Sequence, residues 1–293
     1  MNAEFSNISI LGSGLLGGSL ALALAAQKHA PCVNLWARKA QTASEARALG
    51  IDGATDDLKL AVEGADLLVL CVPVGAMPAL VTSALEAGLP ATCLVTDVGS
   101  VKQAPHRELA AKGIEFIGSH PMAGSERNGL AATSATLFEG AACLLTHDGE
   151  NAGPRAMALE AFWQSVGCHT AWMTPAAHDA LVARISHLPH LIAASASRVC
   201  LKNPADGRFG GGGLRDTTRV ASGNPEMWAE ILTENRAALL DPLRESIADL
   251  QAVVQLLEKS DQQAILQWLA EAKQPRDSLS SAMADKNSPL PAG

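Results

Sequence analysis

Near its start the chain reads ISILGSGLLGGSLALAL (8–24): an apolar run, glycines at 12, 14 and 17, then a stretch rich in alanine and leucine. That order constrains the fold more than any other feature. A strand, a tight turn and a helix at this spacing build the opening βα unit of a dinucleotide-binding sheet. Gly12 permits the turn, Gly14 admits a pyrophosphate close to the backbone, and Gly17 lets helix and strand pack. The phosphates would lie on the free N–H groups of the helix start, so Leu15 and Leu16 join the same cofactor-binding set. The alternative is a glycine-rich turn with no ligand.

Through residue 172 short apolar runs alternate with helical patterns. CVNLWA (32–37), DLLVLCVP (66–73), TCLVTDVGS (92–100), IEFIGSH (114–120) and AACLLT (141–146) read as further strands, and TASEARALG (42–50) as a helix closed by Gly50. Runs that are apolar on both parities suit strands covered on both faces. The expected fold is therefore α/β: a Rossmann-type doubly wound sheet over residues 1–172, then an all-helical domain over 173–293, where the strand signal disappears. In that second part ARISHLPHLIAASASRVCLKN (183–203) is helical in pattern despite Pro189. Asp241 and Pro242 look like an N-cap and N1 pair, so a new helix or a kink begins there. Leu243, Ile247, Leu250, Val254 and Leu257 form a helical stripe, either intramolecular core or a dimer seam. The tail from residue 280 reads as a frayed end.

Composition narrows the function classes. With 48% apolar and 18% charged residues the chain is globular, and a net charge of −8 argues against a nucleic-acid surface. No secretory signal opens the chain and no apolar stretch reaches the ~20 residues of a membrane span, so a cytoplasmic protein is expected. Six cysteines without a CxxC pair read as buried, reduced thiols, and no metal site is expected. The chain has no tyrosine, which excludes any mechanism using a phenolic acid.

Where a carboxylate would bind the ribose 2′-OH, at the end of the second strand, the chain has Ala37 followed by Arg38 and Lys39. Losing the carboxylate and gaining cations favours NADP, with Arg38 in the cofactor set; otherwise Arg38 stacks on adenine and NAD is accepted. Val72, at the third strand end, joins that set. A dehydrogenase also needs a base for the hydroxyl proton. Ser100 and His120 lie on strand ends, where ligands of such a sheet collect, although a strand cap and a surface loop are the ordinary readings of these residues. SHLPH places His187 and His190 three apart. His187 is expected to be structural, and His190 is open between the two roles. Arg215, Asp216 and Arg219 follow a run of four glycines.

With these residues in view the sequence resembles the prephenate/arogenate dehydrogenase family. The segments GSGLLGGSLALAL, DVGSVK, GSHPMAGSE, SHLPH and GGGLRDTTRVASGNPEMW occur in the family's order over residues ~8–235. The resemblance implies a Rossmann domain joined to a helical dimerisation domain, and a homodimer. It implies NAD(P)-dependent oxidative decarboxylation of prephenate to 4-hydroxyphenylpyruvate, or of arogenate to tyrosine. His120 would accept the ring hydroxyl proton and Ser100 would orient that hydroxyl and contact the cofactor. Arg219 would bind a substrate carboxylate, with His190 nearby, Trp228 walling the pocket, and Ser125 and Glu126 bordering the substrate side chain. The chain's length would leave no room for a regulatory module, so feedback by tyrosine would act at the active site. Two other readings compete. A β-hydroxyacid dehydrogenase would use a lysine and an asparagine, for which Lys202 and Asn203 are adjacent rather than helically spaced. A cofactor-sensing regulator would need no His120, Ser100 and Arg219 together.

Overall fold

A computed structural model of the chain describes residues 5–124, 129–147 and 153–284. The first part alternates β1 (Asn7–Leu11), α1 (Leu15–Ala25), β2 (Cys32–Trp36), α2 (Ala40–Ala48), β3 (Ala54–Thr55), α3 (Leu58–Val62), β4 (Leu67–Leu70), α4 (Met77–Glu86) and β5 (Leu94–Asp97). All five strands are parallel, in the order β3-β2-β1-β4-β5. Side chains alternate between two cores with the strand period of two. Ile8, Ile10, Leu67 and Val69 pack with Leu20 and Leu24 of α1, while Leu11, Leu68 and Leu70 pack with Met77 and Val81 of α4. The strand order reverses between β1 and β4, which opens a crevice beyond their carboxyl ends.

α5 (Gln103–Ala110) leads to a second sheet made of β6 (Gly118–Pro121), β7 (Ala142–Thr146) and β8 (His169–Met173), with α6 (Pro154–Ser165) before β8. Here the structure corrects the sequence reading. The run at 114–120 joins the first sheet by one parallel bridge, Val95 to Phe116, but the run at 141–146 does not continue it in parallel, because β7 is antiparallel to β6 and β8 is parallel to β7. An apolar run signals burial and carries no information on direction. The two sheets meet where Ile117 N–H donates to Val95 O at 3.1 Å.

In the second part α7 (Pro175–Val182), a π-helical turn (Ala183–His187) and α8 (Leu188–Cys200) follow one another without a break. Pro189 lies in the first turn of α8, where a missing N–H costs least. α9 (Gly212–Thr218), α10 (Pro225–Glu234), α11 (Arg236–Glu258) and α12 (Gln262–Ala284) complete the described chain. α11 starts at Arg236 and runs through buried Pro242, so the Asp241–Pro242 pair is not a helix start. The tail expected to fray from residue 280 is helical as far as Ala284. Most of the stripe is not covered by the described residues: Leu243 is half-buried, but Ile247, Leu250, Val254 and Leu257 are 48–60% exposed. Cys93, Cys143 and Cys168 are buried as expected, but Cys32 and Cys200 are exposed on a strand start and a helix end. No helix among the described residues is long and apolar enough to cross a membrane.

Candidate active site

The glycine loop sits in the crevice between β1 and β4. Gly12 has φ +121°, and a Cβ there would lie 2.2 Å from the Cys71 carbonyl oxygen and 3.1 Å from Val72 Cγ1. A Cβ on Gly17 would lie 1.9 Å from Gly12 O. Both glycines are therefore required by the protein's own packing. Gly14 differs, since a Cβ there would meet nothing within 4 Å. Its open face lies at the N-terminus of α1, which has no side-chain cap and no acidic residue in its first turn, occupied by Leu15 and Leu16. An uncapped helix start behind an open glycine is a cradle suited to the pyrophosphate of a dinucleotide. Beyond β2, Ala37 is buried while Arg38 and Lys39 are exposed, and no carboxylate follows the strand.

The loop carrying Ser100 is held by a buried ion pair. Lys102 Nζ lies 2.5 Å from Asp97 Oδ2, and also donates to Gly99 O at 2.9 Å and Val101 O at 3.3 Å. Asp97 further accepts N–H bonds from Gly99 at 2.8 Å and from Ser119 at 3.0 Å. With its donors and acceptors matched, the pair avoids the large cost of an isolated buried charge. One carboxylate thus fixes Gly99 and Ser119, the residues immediately before Ser100 and His120. That is how two strand ends come together.

His120, on β6, is buried, and its Nδ1 lies 2.9 Å from Nε2 of His178 on α7. His178 Nδ1 is in turn 2.8 Å from Asp179 Oδ1. Asp179 also accepts the N–H groups of Lys102 at 2.8 Å and Gln103 at 3.0 Å. Burial would raise the Asp179 pKa, but the bonds from His178, Gln103 and Lys102 outweigh it and hold the carboxyl below its ordinary value. His120 is held well below the usual histidine range by burial first, then by His178, Lys102 and His187. Burial also lowers His178, against the opposing pull of Asp179. His120 is therefore a neutral imidazole at physiological pH, able to accept a proton. His178 and Asp179 were not singled out from the sequence. Their only signal is an adjacent His-Asp pair in TPAAHD, 58 residues after His120.

Further into the helical part, the π turn and α8 carry His187 and His190. Asn235 Nδ2 donates to Asp179 O at 2.9 Å and to His187 Nδ1 at 3.0 Å. His190 stacks on Trp228 with ring centroids 3.5 Å apart and planes within 10°. Gly223 allows this stack, because a Cβ there would lie 2.4 Å from Trp228 Nε1. His187 Nε2 and His190 Nδ1 are buried without a hydrogen-bond partner among the described residues. Burial lowers His187 to about 4 and also lowers His190, so both rings are neutral. Arg219 is exposed on the short 3-10 turn Arg219–Ser222 that leads to Gly223. Ser125 and Glu126 lie outside the described residues. Lys202 and Asn203 occupy an exposed turn after α8, where Asn203 caps the following turn through Ala205 N–H.

Comparison with known proteins bears on this geometry. A family model described as the nucleotide-binding domain of prephenate dehydrogenase matches residues 20–171, and one described as its dimerization domain matches residues 174–271. The chain is 34% identical to a cyclohexadienyl dehydrogenase of Zymomonas mobilis, over 93% of this chain and 95% of that one. It is 31% identical to a prephenate dehydrogenase of Bacillus subtilis, over 95% of this chain and 77% of that one. Among solved structures, prephenate dehydrogenase from Aquifex aeolicus, in complex with hydroxyphenyl propionate and NAD+, superposes with a TM-score of 0.86 at 27% identity, covering 95% of this chain and all of that one. Arogenate dehydrogenase of Synechocystis gives a TM-score of 0.77 at 30% identity, covering 93% and 99%.

Proposed function

This chain belongs to the prephenate dehydrogenase family, and we propose that it oxidatively decarboxylates prephenate or arogenate with His120 as the base. It is an oxidoreductase that uses a nicotinamide cofactor. The observation that carries the site assignment is the pairing of His120 Nδ1 with His178, which leaves Nε2 as the atom able to receive the ring hydroxyl proton. A nicotinamide dinucleotide held by the Gly12–Gly17 loop and the start of α1 would supply the acceptor for the hydride of the carbinol carbon. Loss of the ring carboxylate as CO2 then makes the ring aromatic, so the protein has only to position a dianion beside a base. Ser100, on the loop fixed by Lys102 and Asp97, orients the hydroxyl and borders the cofactor. Arg219 binds a substrate carboxylate, His190 stacked on Trp228 walls the ring, and Ser125 and Glu126 border the side chain.

Gly12, Gly14, Leu15, Leu16, Gly17 and Val72 hold the dinucleotide. Arg38 and Lys39, with no carboxylate at position 37, support a preference for NADP over NAD. The helical domain supports a homodimer through the exposed stripe of α11. A β-hydroxyacid dehydrogenase is less supported, because Lys202 and Asn203 sit in a solvent-exposed turn. The test is a set of initial rates with prephenate and arogenate, each crossed against NAD and NADP, on the wild type and His120→Asn. The variant should lose kcat by roughly 10²–10⁴ with cofactor affinity unchanged. An active His120→Asn protein overturns the base assignment.

A further inference from the structure

We propose that His178 is the second station of a proton relay: His120 takes the hydroxyl proton at Nε2 and passes its own Nδ1 proton to His178 Nε2, leaving the charge on a His178–Asp179 ion pair. The inference rests on the reading of His120 as the base. The direction of each bond follows from Asp179. Its carboxylate accepts two backbone N–H groups and the His178 ring at 2.8 Å, and a carboxylate only accepts, so His178 Nδ1 carries a hydrogen. A neutral His178 then has a lone pair on Nε2. The hydrogen in the 2.9 Å contact therefore belongs to His120 Nδ1, and His120 Nε2 is the free acceptor.

Protonation at Nε2 alone would leave a buried imidazolium between Lys102, His178 and His187, all of which disfavour it. Shifting the Nδ1 proton across 2.9 Å returns His120 to neutrality, as its other tautomer. The cation then stands 2.8 Å from Asp179. One proton enters the His120 ring and one leaves it. Only N–H bonds change in the protein: the C–H pair leaves with the hydride, the C–CO2 pair passes into the ring, and the phenolate oxygen so formed takes a proton back from His120 Nε2 as His178 returns its own to His120 Nδ1, so no proton is lost overall. Asn235, at the junction of α10 and α11, donates to Asp179 O, so the end of the relay is anchored in the helical part. The base itself stands on β6, in the sheet half.

The charged and titratable groups facing His178 are His120, Asp179, Lys102, Asp97 and His187, and Lys102 and His187 also face His120. His178→Gln keeps an acceptor for the His120 Nδ1–H but has no site for the proton. In the holoenzyme its kcat should fall about 10–100-fold with KM little changed. The acid limb of its kcat–pH profile should move to lower pH, because the proton must then rest on His120, away from Asp179. A role confined to orientation would leave both readouts in place, and such a result overturns the relay. A second measurement needs neither turnover nor the variant. In full-length protein labelled with ring-15N histidine, lowering the pH should protonate His178 before His120, and the reverse order overturns the relay. An active His120→Asn protein would instead remove the base assignment on which the relay rests, so the two failures are distinguishable.

Discussion

β4 in the sheet half and α11 in the helical half both carry runs of leucine and valine. Every residue of β4 is buried, whereas Ile247, Leu250, Val254 and Leu257 of α11 are 48–60% exposed. The polar groups show a similar contrast. In the sheet half Lys102 and Asp97 are fully buried and satisfied by each other and by backbone. In the helical half two buried histidine nitrogens have no partner among the described residues. The first half is complete around its two cores. Among the described residues, the second leaves an apolar face of α11 exposed and the two histidine nitrogens unpartnered.

The comparison is most directly broken at Lys102. Lys102→Met leaves the Asp97 carboxylate buried beside two N–H groups but without its cation, and the sheet half should lose about 3–5 kcal/mol of unfolding free energy in urea. A loss under ~1 kcal/mol would mean that the pair is not what holds the Ser100 and His120 strand ends. The apolar face comes next. Leu250→Asp with Leu257→Asp should raise the dimer dissociation constant at least about 100-fold in sedimentation, since each carboxylate would be desolvated in the seam. Dinucleotide affinity should stay within about twofold if the sheet half is self-sufficient. An unchanged dimer would move the seam to another face. The smallest effect is expected at the cofactor rim: Arg38→Ala should reduce the NADP-over-NAD ratio of kcat/KM by roughly tenfold, an exposed cation being partly screened. A strong NAD preference in the wild type would sink the NADP proposal.

How far each part was legible depends on how local its cause is. The glycine loop was readable because glycines at 12, 14 and 17 encode backbone geometry within six residues, and the structure finds Gly12 and Gly17 sterically obligatory. β1, β4 and β5 of the first sheet were readable from burial on both faces. The two-residue β3 and the half-exposed edge strand β8 left no such signal. Of the two local meanings of the Asp241–Pro242 pair, a helix start or a kink, the helix start yields to packing that buries Pro242 inside α11. His120 was visible in its motif, but nothing near it announces His178 and Asp179, which reach it across 58 residues through the meeting of β6 and α7.

Local backbone rules therefore let the sequence by itself determine the βα opening, the two-part organisation and the histidine at a strand end, because glycine spacing, periodicity and turn chemistry act over a few residues. Only the tertiary structure decided that β7 turns antiparallel to β6, that one aspartate ties Ser119 to Gly99, and that His120 backs onto His178 and Asp179. Strand direction and side-chain pairing depend on which distant segments become neighbours, and a hydrogen bond across tens of residues leaves no period in the chain.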